Sequence, residues 1–197
     1  MEVQRTMENN NSSFKKYGAP ILVLVLICLV VTAALAATYG AAHPVIVKNA
    51  KKAADETRQE LLKDADGFTE YKGKLVKTDD GKVEVVEAYT ADNKAGVVFT
   101  VHTASFGGEL TEMVGINAEG EITGVKVTAH SDTPGLGTKA QEPSHLNQYK
   151  GIKALSETTC KDDKDITHVT GATVSSNAIH YGVFEALKQY EEMGGVK

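Results

Sequence analysis

The chain has 197 residues, 42% of them hydrophobic, and a net charge of −5, with a mean hydropathy of −0.21. That length fits one ordinary domain, or one domain plus a short extra element, and the negative hydropathy excludes a polytopic membrane protein. The average conceals an uneven distribution, because the apolar residues gather in one block near the N-terminus.

No charged residue lies between Lys16 and His43, and the centre of this stretch reads ILVLVLICLVVTAALAA from Ile21 to Ala37. As a helix rising about 1.5 Å per residue, positions 17–42 would span roughly 39 Å. A hydrocarbon core is roughly 30 Å thick, so the block is long enough to cross it. Charge divides at the same place: residues 1–42 carry +1 and residues 43–197 carry −6. An acidic remainder without a basic cluster argues against nucleic acid as a partner.

The block also has features of a cleaved signal peptide, with Lys15 and Lys16 as its charged region and Ala34-Leu35-Ala36 as a small-x-small site. The 16-residue tail before it and the length of the apolar run favour an uncleaved anchor. Ile27 before Cys28 does not suit a lipoprotein signal. Lys48, Lys51, Lys52 and Arg58 balance Lys15 and Lys16, so the positive-inside count favours neither orientation. A first helix after a short basic tail ordinarily leaves that tail in the cytoplasm, which places the acidic domain outside it. The expected division is a tail over 1–16, a transmembrane helix over 17–42, a linker helix over 43–72 and a folded domain over 73–197.

The linker helix is read from Val47 to Lys63, where Ala50, Ala53, Ala54, Leu61 and Leu62 recur at helical spacing before Asp66-Gly67. From Lys74 to His130 the pattern changes to short runs rich in Val, Ile and Thr: LVKT, KVEVVEAYTA, AGVVFTVHTA and EITGVKVTAH. Asp79-Asp80-Gly81, Asp92-Asn93-Lys94 and Asn117 to Glu121 supply turns, while Gly107-Gly108 reads as a bulge or bend. A second helix is expected over Ser175–Gln189, with Ser175 or Ser176 as N-cap and Ile179, Val183, Ala186, Leu187 and Tyr190 on one stripe. An antiparallel meander flanked by helices makes the domain α+β. Cys28 and Cys160 fall in different parts of the chain and cannot pair. Without CxxC or a Cys/His cluster, the sequence offers no zinc or iron–sulfur site, and Cys160 reads as a neutral structural residue.

Two segments are not explained by a core. In His130 to Lys139, Pro134 fixes φ while Gly135 and Gly137 permit positive φ, so backbone N–H groups can turn towards a ligand; a plain strand-to-helix turn fits equally. In Thr167 to Ser176, small residues and hydroxyls stand at an expected helix N-terminus, where free N–H groups and the dipole favour an anion such as phosphate. A capping cluster of hydroxyls is the plainer alternative.

Thr170-Gly171-Ala172-Thr173 resembles the S/T-G-A-T flavinylation motif of FMN-binding domains in membrane redox complexes. Asp132-Thr133-Pro134-Gly135-Leu136-Gly137 is similar to their E-T-P-G-L-G segment. With a single N-terminal membrane helix and a chain near 200 residues, the plan resembles the G subunit of the Rnf complex. The C subunit of the sodium-pumping NADH:quinone oxidoreductase, a longer chain, has a similar domain. The resemblance implies FMN joined to the Thr173 hydroxyl through a phosphoester. Thr170, Gly171 and Ala172 would be recognised by an FAD:protein FMN transferase. Thr133, Pro134, Gly135, Leu136 and Gly137 would lie beside the flavin, with Thr138 and Lys139 at its phosphate or ring edge. Asp132 replaces the family's Glu, and Thr167 stands where the family usually has Asp, with Asp165 two residues earlier.

The implied role is an electron-transfer subunit, working with other membrane and redox subunits that move electrons between ferredoxin and NAD and couple this to Na+ or H+ translocation. This chain has no nicotinamide fingerprint, cluster ligands or ion pathway of its own, so alone it is not a complete enzyme. One alternative is a stand-alone anchored flavoprotein that senses or relays redox state. A hydrolase with Thr173 or Ser175 as nucleophile and His168 or His180 as base is disfavoured by the absence of G-x-S-x-G.

Overall fold

The computed structural model describes residues 17–196. Contacts divide the chain into two units, 1–53 and 54–197.

The first unit is helical. Helix α1 runs Ala19–Leu61, passes through Pro44 without ending, and carries on into the second unit. Its large apolar side chains from Ile21 to Val47 are exposed. Among the described residues it is the one helix long and apolar enough to cross a membrane. The Thr38 hydroxyl donates to the Ala34 carbonyl one turn back at 2.9 Å, and the Tyr39 and His43 rings lie 5.1 Å apart. The helix expected to continue from the apolar block to near Asp66-Gly67 ends at Leu61.

The second unit is built on a five-stranded antiparallel meander in the order β1-β2-β3-β4-β5. The strands are β1 (Phe68–Glu70), β2 (Val83–Ala91), β3 (Gly96–Ser105), β4 (Gly108–Asn117) and β5 (Ile122–Ala129). β1 thus lies inside the stretch expected as linker. Central β3 is buried on both faces from Gly96 to Val101, which explains its near-continuous apolar run. Two short 3-10 turns, Gly137–Gln141 and Asn147–Tyr149, flank the four-residue helix α2 (Pro143–Leu146), and α3 (Thr173–Met193) closes the chain.

Each sheet face has its own cover. On one, α3 sets Ile179, Val183, Ala186, Leu187 and Tyr190 against Val97, Phe99, Val101, Leu110 and Val114, and all are buried. The expected stripe is the packed one. On the other, Leu61, Leu62 and Ala65 pack on Ala91, Val98 and Met113. Burial at Thr57 and Arg58, a turn before Leu61, shows that the end of α1 buries more than its small apolar positions suggest. The Arg58 guanidinium donates to Asp55 at 2.6 Å and Glu87 at 3.1 Å, and it lies 3.6 Å from the Tyr89 ring centroid. A buried arginine is tolerated because two carboxylates and an aromatic face replace its water.

Three local expectations change. The segment Gly108–Asn117, not read as a strand, is β4. Gly107-Gly108 is accordingly neither bulge nor bend within a strand but the tight β3–β4 hairpin, with Ser105 opposite Gly108. LVKT contributes only an isolated bridge from Lys77 to Glu84.

Candidate functional site

The two segments left over from the core meet at one place. A cleft of about 240 Å³ opens beside the first turn of α3. The segment after β5 contributes Thr133, Leu136 and Gly137, and the helix start contributes Gly171, Ala172, Thr173, Val174 and Ser175. A third segment, the β3–β4 hairpin, adds Phe106.

The backbone of the helix start explains its openness. Gly171 has φ +83° and Gly135 has φ +74°, conformations that side-chain-bearing residues rarely adopt. A Cβ at Gly171 would find only the Leu136 side chain at 3.7 Å, so the space over this peptide is open. Helix α3 begins one turn earlier than its hydroxyls suggest. Its N-cap is Ala172, without a side-chain cap, and neither Ser175 nor Ser176 caps it. Ser176 instead accepts a hydrogen bond from the Val169 N–H at 3.1 Å, bracing the loop before the helix. The first turn therefore keeps donors without intrahelical partners at its N-terminus, where the dipole favours an anion. Thr173 stands in this turn, half-buried, and among the described residues no hydrogen bond engages its hydroxyl.

The other wall is held by side chains. Asp132 is buried, with 4% of its surface exposed. Its carboxylate accepts from the Ser105 hydroxyl at 2.8 Å and from the Gly107 N–H at 2.9 Å. It ties the post-β5 segment to the hairpin. The shorter Asp in place of Glu reaches these donors because the hairpin comes close: a Cβ on Gly107 would overlap the Ser131 carbonyl. A Cβ on Gly137 would lie 2.9 Å from both Asp132 and the Ser175 hydroxyl, so this peptide packs tightly between the two walls.

Other expected residues fall outside the lining. Thr138 turns inward within its own segment, its hydroxyl accepting from the Gly135 N–H at 2.8 Å. Lys139, Pro134 and Thr170 are exposed. Thr167 is exposed too, and its backbone is gripped by Gln148, which accepts from the Thr167 N–H at 2.9 Å and donates to its carbonyl at 3.3 Å.

The nucleophile–base alternative finds no support in this geometry. His180 is fully buried. One ring nitrogen meets the Glu157 carbonyl at 2.9 Å, the other the Tyr149 hydroxyl at 3.4 Å. Burial holds its pKa below the usual histidine value, although the Glu157 carbonyl and Asp163 oppose this. His168 is not among the residues lining the cleft. Cys160 is also buried, and burial pushes its thiol up to about 11, in keeping with a neutral structural residue. Among the described residues no group of His, Cys, Asp and Glu could hold a metal ion.

Phe106 and Val174 escaped the sequence reading. Both are large apolar side chains that the fold leaves exposed; Val174 directly follows the Thr170–Thr173 motif, whereas Phe106 has no neighbouring motif to mark it.

Comparison with known proteins gives the family. The FMN-binding domain family matches residues 105–188, which include all three cleft segments. The G subunit of the proton-translocating ferredoxin:NAD(+) oxidoreductase complex of Clostridium ljungdahlii is 29% identical over 177 residues, covering 88% of this chain and 91% of that one. The G subunit of the Na(+)-translocating ferredoxin:NAD(+) oxidoreductase complex of Acetobacterium woodii is 30% identical over 188 residues, covering 87% and 90%. Among solved structures, the C subunit of the Na(+)-translocating NADH-quinone reductase from Parabacteroides distasonis aligns over 57% of this chain and 63% of that one, with a TM-score of 0.40 and 18% identity. On its similarity to the Acetobacterium protein over nearly the whole of both chains, this chain belongs to the G-subunit family of ion-translocating oxidoreductase (Rnf) complexes.

Proposed function

We propose that the chain is a membrane-anchored electron-transfer subunit that carries FMN through a phosphoester at Thr173. It would serve an Rnf-type complex that exchanges electrons between ferredoxin and NAD and couples this to Na+ or H+ translocation. The observation that carries the reading is the meeting of Thr133, Leu136 and Gly137 with Gly171, Ala172 and Thr173 at one cleft, with the Thr173 hydroxyl on a helix N-terminus.

The residues present suit the group. The free N–H donors of the first α3 turn and the helix dipole favour a phosphate, and the Thr173 hydroxyl is the attachment point. Leu136, 48% exposed, and Val174, 52% exposed, offer apolar surface for a flavin ring. The cleft lies just under the usual range of about 300–1,000 Å³ for ligand pockets. It suits partial cover of a flavin, leaving an edge for exchange with partner centres. FMN, once bound, supplies one-electron and two-electron exchange. The chain's own part is to tether, orient and partly shield it.

Attachment would be the work of an FAD:protein FMN transferase, in which the Thr173 oxygen displaces AMP from FAD and its proton leaves with the AMP. The uncleaved apolar helix would hold the domain at the membrane, with the N-terminus cytoplasmic and the FMN domain on the outer side. The partners would be the other membrane and redox subunits of the complex. The names of the two relatives differ in the ion, proton in one and Na+ in the other.

The test is denaturing electrophoresis of protein made together with a transferase. Flavin fluorescence should travel with the unsubstituted chain and be absent from Thr173→Ala. Fluorescence retained in Thr173→Ala would overturn the assignment.

A further inference from the structure

Phe106 is unusual among the aromatic residues of the sheet domain. Phe99 and Tyr149 are fully buried, whereas Phe106 is 72% exposed at the tip of the β3–β4 hairpin. Its position is nevertheless fixed. The residues on both sides of it, Ser105 and Gly107, donate to the same buried Asp132 carboxylate, at 2.8 and 2.9 Å. The overlap that any Cβ at Gly107 would meet with the Ser131 carbonyl shows how closely the hairpin sits on the post-β5 segment. A fold that anchors both neighbours of an aromatic side chain, yet leaves that side chain in solvent, is presenting it rather than packing it. It is presented to the cleft, where Phe106, Leu136 and Val174 come from three separate segments and are all exposed apolar side chains.

We propose that Phe106 is a flavin-contacting residue, the third apolar wall around the ring of the group carried at Thr173, and that Asp132 is its positioning residue. The inference rests on the reading of Thr173 as the FMN attachment point. An aromatic side chain suits this role because its face packs against a flat conjugated ring with preferred offset or edge geometry. Asp132 acts through the hairpin: it fixes where Phe106 stands and touches no ring itself. Phe106 thereby governs how much of the flavin meets water, a property separate from attachment.

The experiment uses the full chain, flavinylated in the presence of a transferase and held in detergent. Attachment is read by fluorescence after denaturing electrophoresis, and ring exposure by collisional quenching of native flavin fluorescence with iodide, expressed per attached flavin. Phe106→Ala should keep its attached flavin while the quenching constant rises roughly twofold, as one face loses its aromatic cover. Phe106→Tyr, with the same ring, should restore the original constant. Asp132→Ala should raise the constant as well, while Phe106→Ala combined with Asp132→Ala should show no further rise. Attached flavin with an unchanged quenching constant in Phe106→Ala would overturn this proposal and leave the Thr173 reading standing. No attached flavin in the unsubstituted protein would overturn both.

Discussion

The first turn of α3 and its middle treat charge in opposite ways. At the first turn, small residues leave backbone donors facing an open cleft, and the dipole invites an anion. Two turns further on, Gly182 brings the helix down onto the sheet, where the Glu112 carboxyl and the Thr103 hydroxyl are buried without hydrogen-bond partners among the described residues. Burial pushes the Glu112 carboxyl well above the usual carboxylate range, so this group is held neutral. Burial also raises the pKa of Tyr149, and it lowers the pKa of His145 and His180, whose rings lie beside Tyr149. One helix thus has an end that welcomes negative charge and, at Gly182, a contact with a carboxyl that is held neutral. Glycine serves both, giving open space at Gly171 and close approach at Gly182.

The largest effect expected from breaking this contrast is at Gly182. A Cβ there would overlap the Glu112 carboxyl and lie 2.8 Å from the Thr103 methyl group, and both side chains are buried. Gly182→Ala should cost about 1–3 kcal/mol, the usual penalty of overpacking. A chemical-denaturation curve measures this, and adding Glu112→Ala should recover part of the loss.

A smaller, pH-dependent effect is expected at Glu112 itself. Its folded pKa lies above its unfolded value, so its contribution is fully present below the ordinary carboxylate range. It is lost progressively as pH rises towards the folded pKa, because only the unfolded chain releases the proton. Thermal unfolding of Glu112→Gln should therefore show a gain over the original chain that grows with pH above that range. An identical pH profile for the two proteins would mean that the carboxyl is charged and that the middle of α3 does tolerate an anion.

The smallest effect concerns Cys160. With a thiol pKa of about 11, about one molecule in a thousand is thiolate at pH 8. Together with burial at 1% exposure, this predicts that alkylation leaves Cys160 unmodified in the native protein and labels it once the chain is denatured, as mass spectrometry of the peptides would show.

Much of this arrangement is visible in the sequence, for identifiable reasons. The α3 stripe from Ile179 to Tyr190 is legible because a helix packed on one sheet face repeats its apolar residues every three or four positions. The turns at Asp92–Lys94 and Asn117–Glu121 announce themselves by composition. Strand β4 is hidden because Glu112 occupies one of its buried positions and Gly115 interrupts its interior, so its alternation does not read as apolar against polar. The serines at the start of α3 suggest capping by composition, yet Ser176 spends its oxygen on Val169. In the candidate site, the two motif segments are legible and their meeting is not, since they lie more than 30 residues apart and meet only through the packing of the folded domain. Phe106 is hidden for the same reason: only the Asp132 anchors to Ser105 and Gly107 place it at the cleft.

The central claim, a flavin esterified to the first turn of α3, is tested most directly by peptide mapping of the flavinylated full chain. Trypsin should release residues 165–188 as one peptide. The account predicts that this peptide alone carries the mass of FMN less water, with fragment ions placing the addition on Thr173. An addition on Thr167, Thr170, Ser175 or Ser176, or on a peptide outside this range, would contradict it.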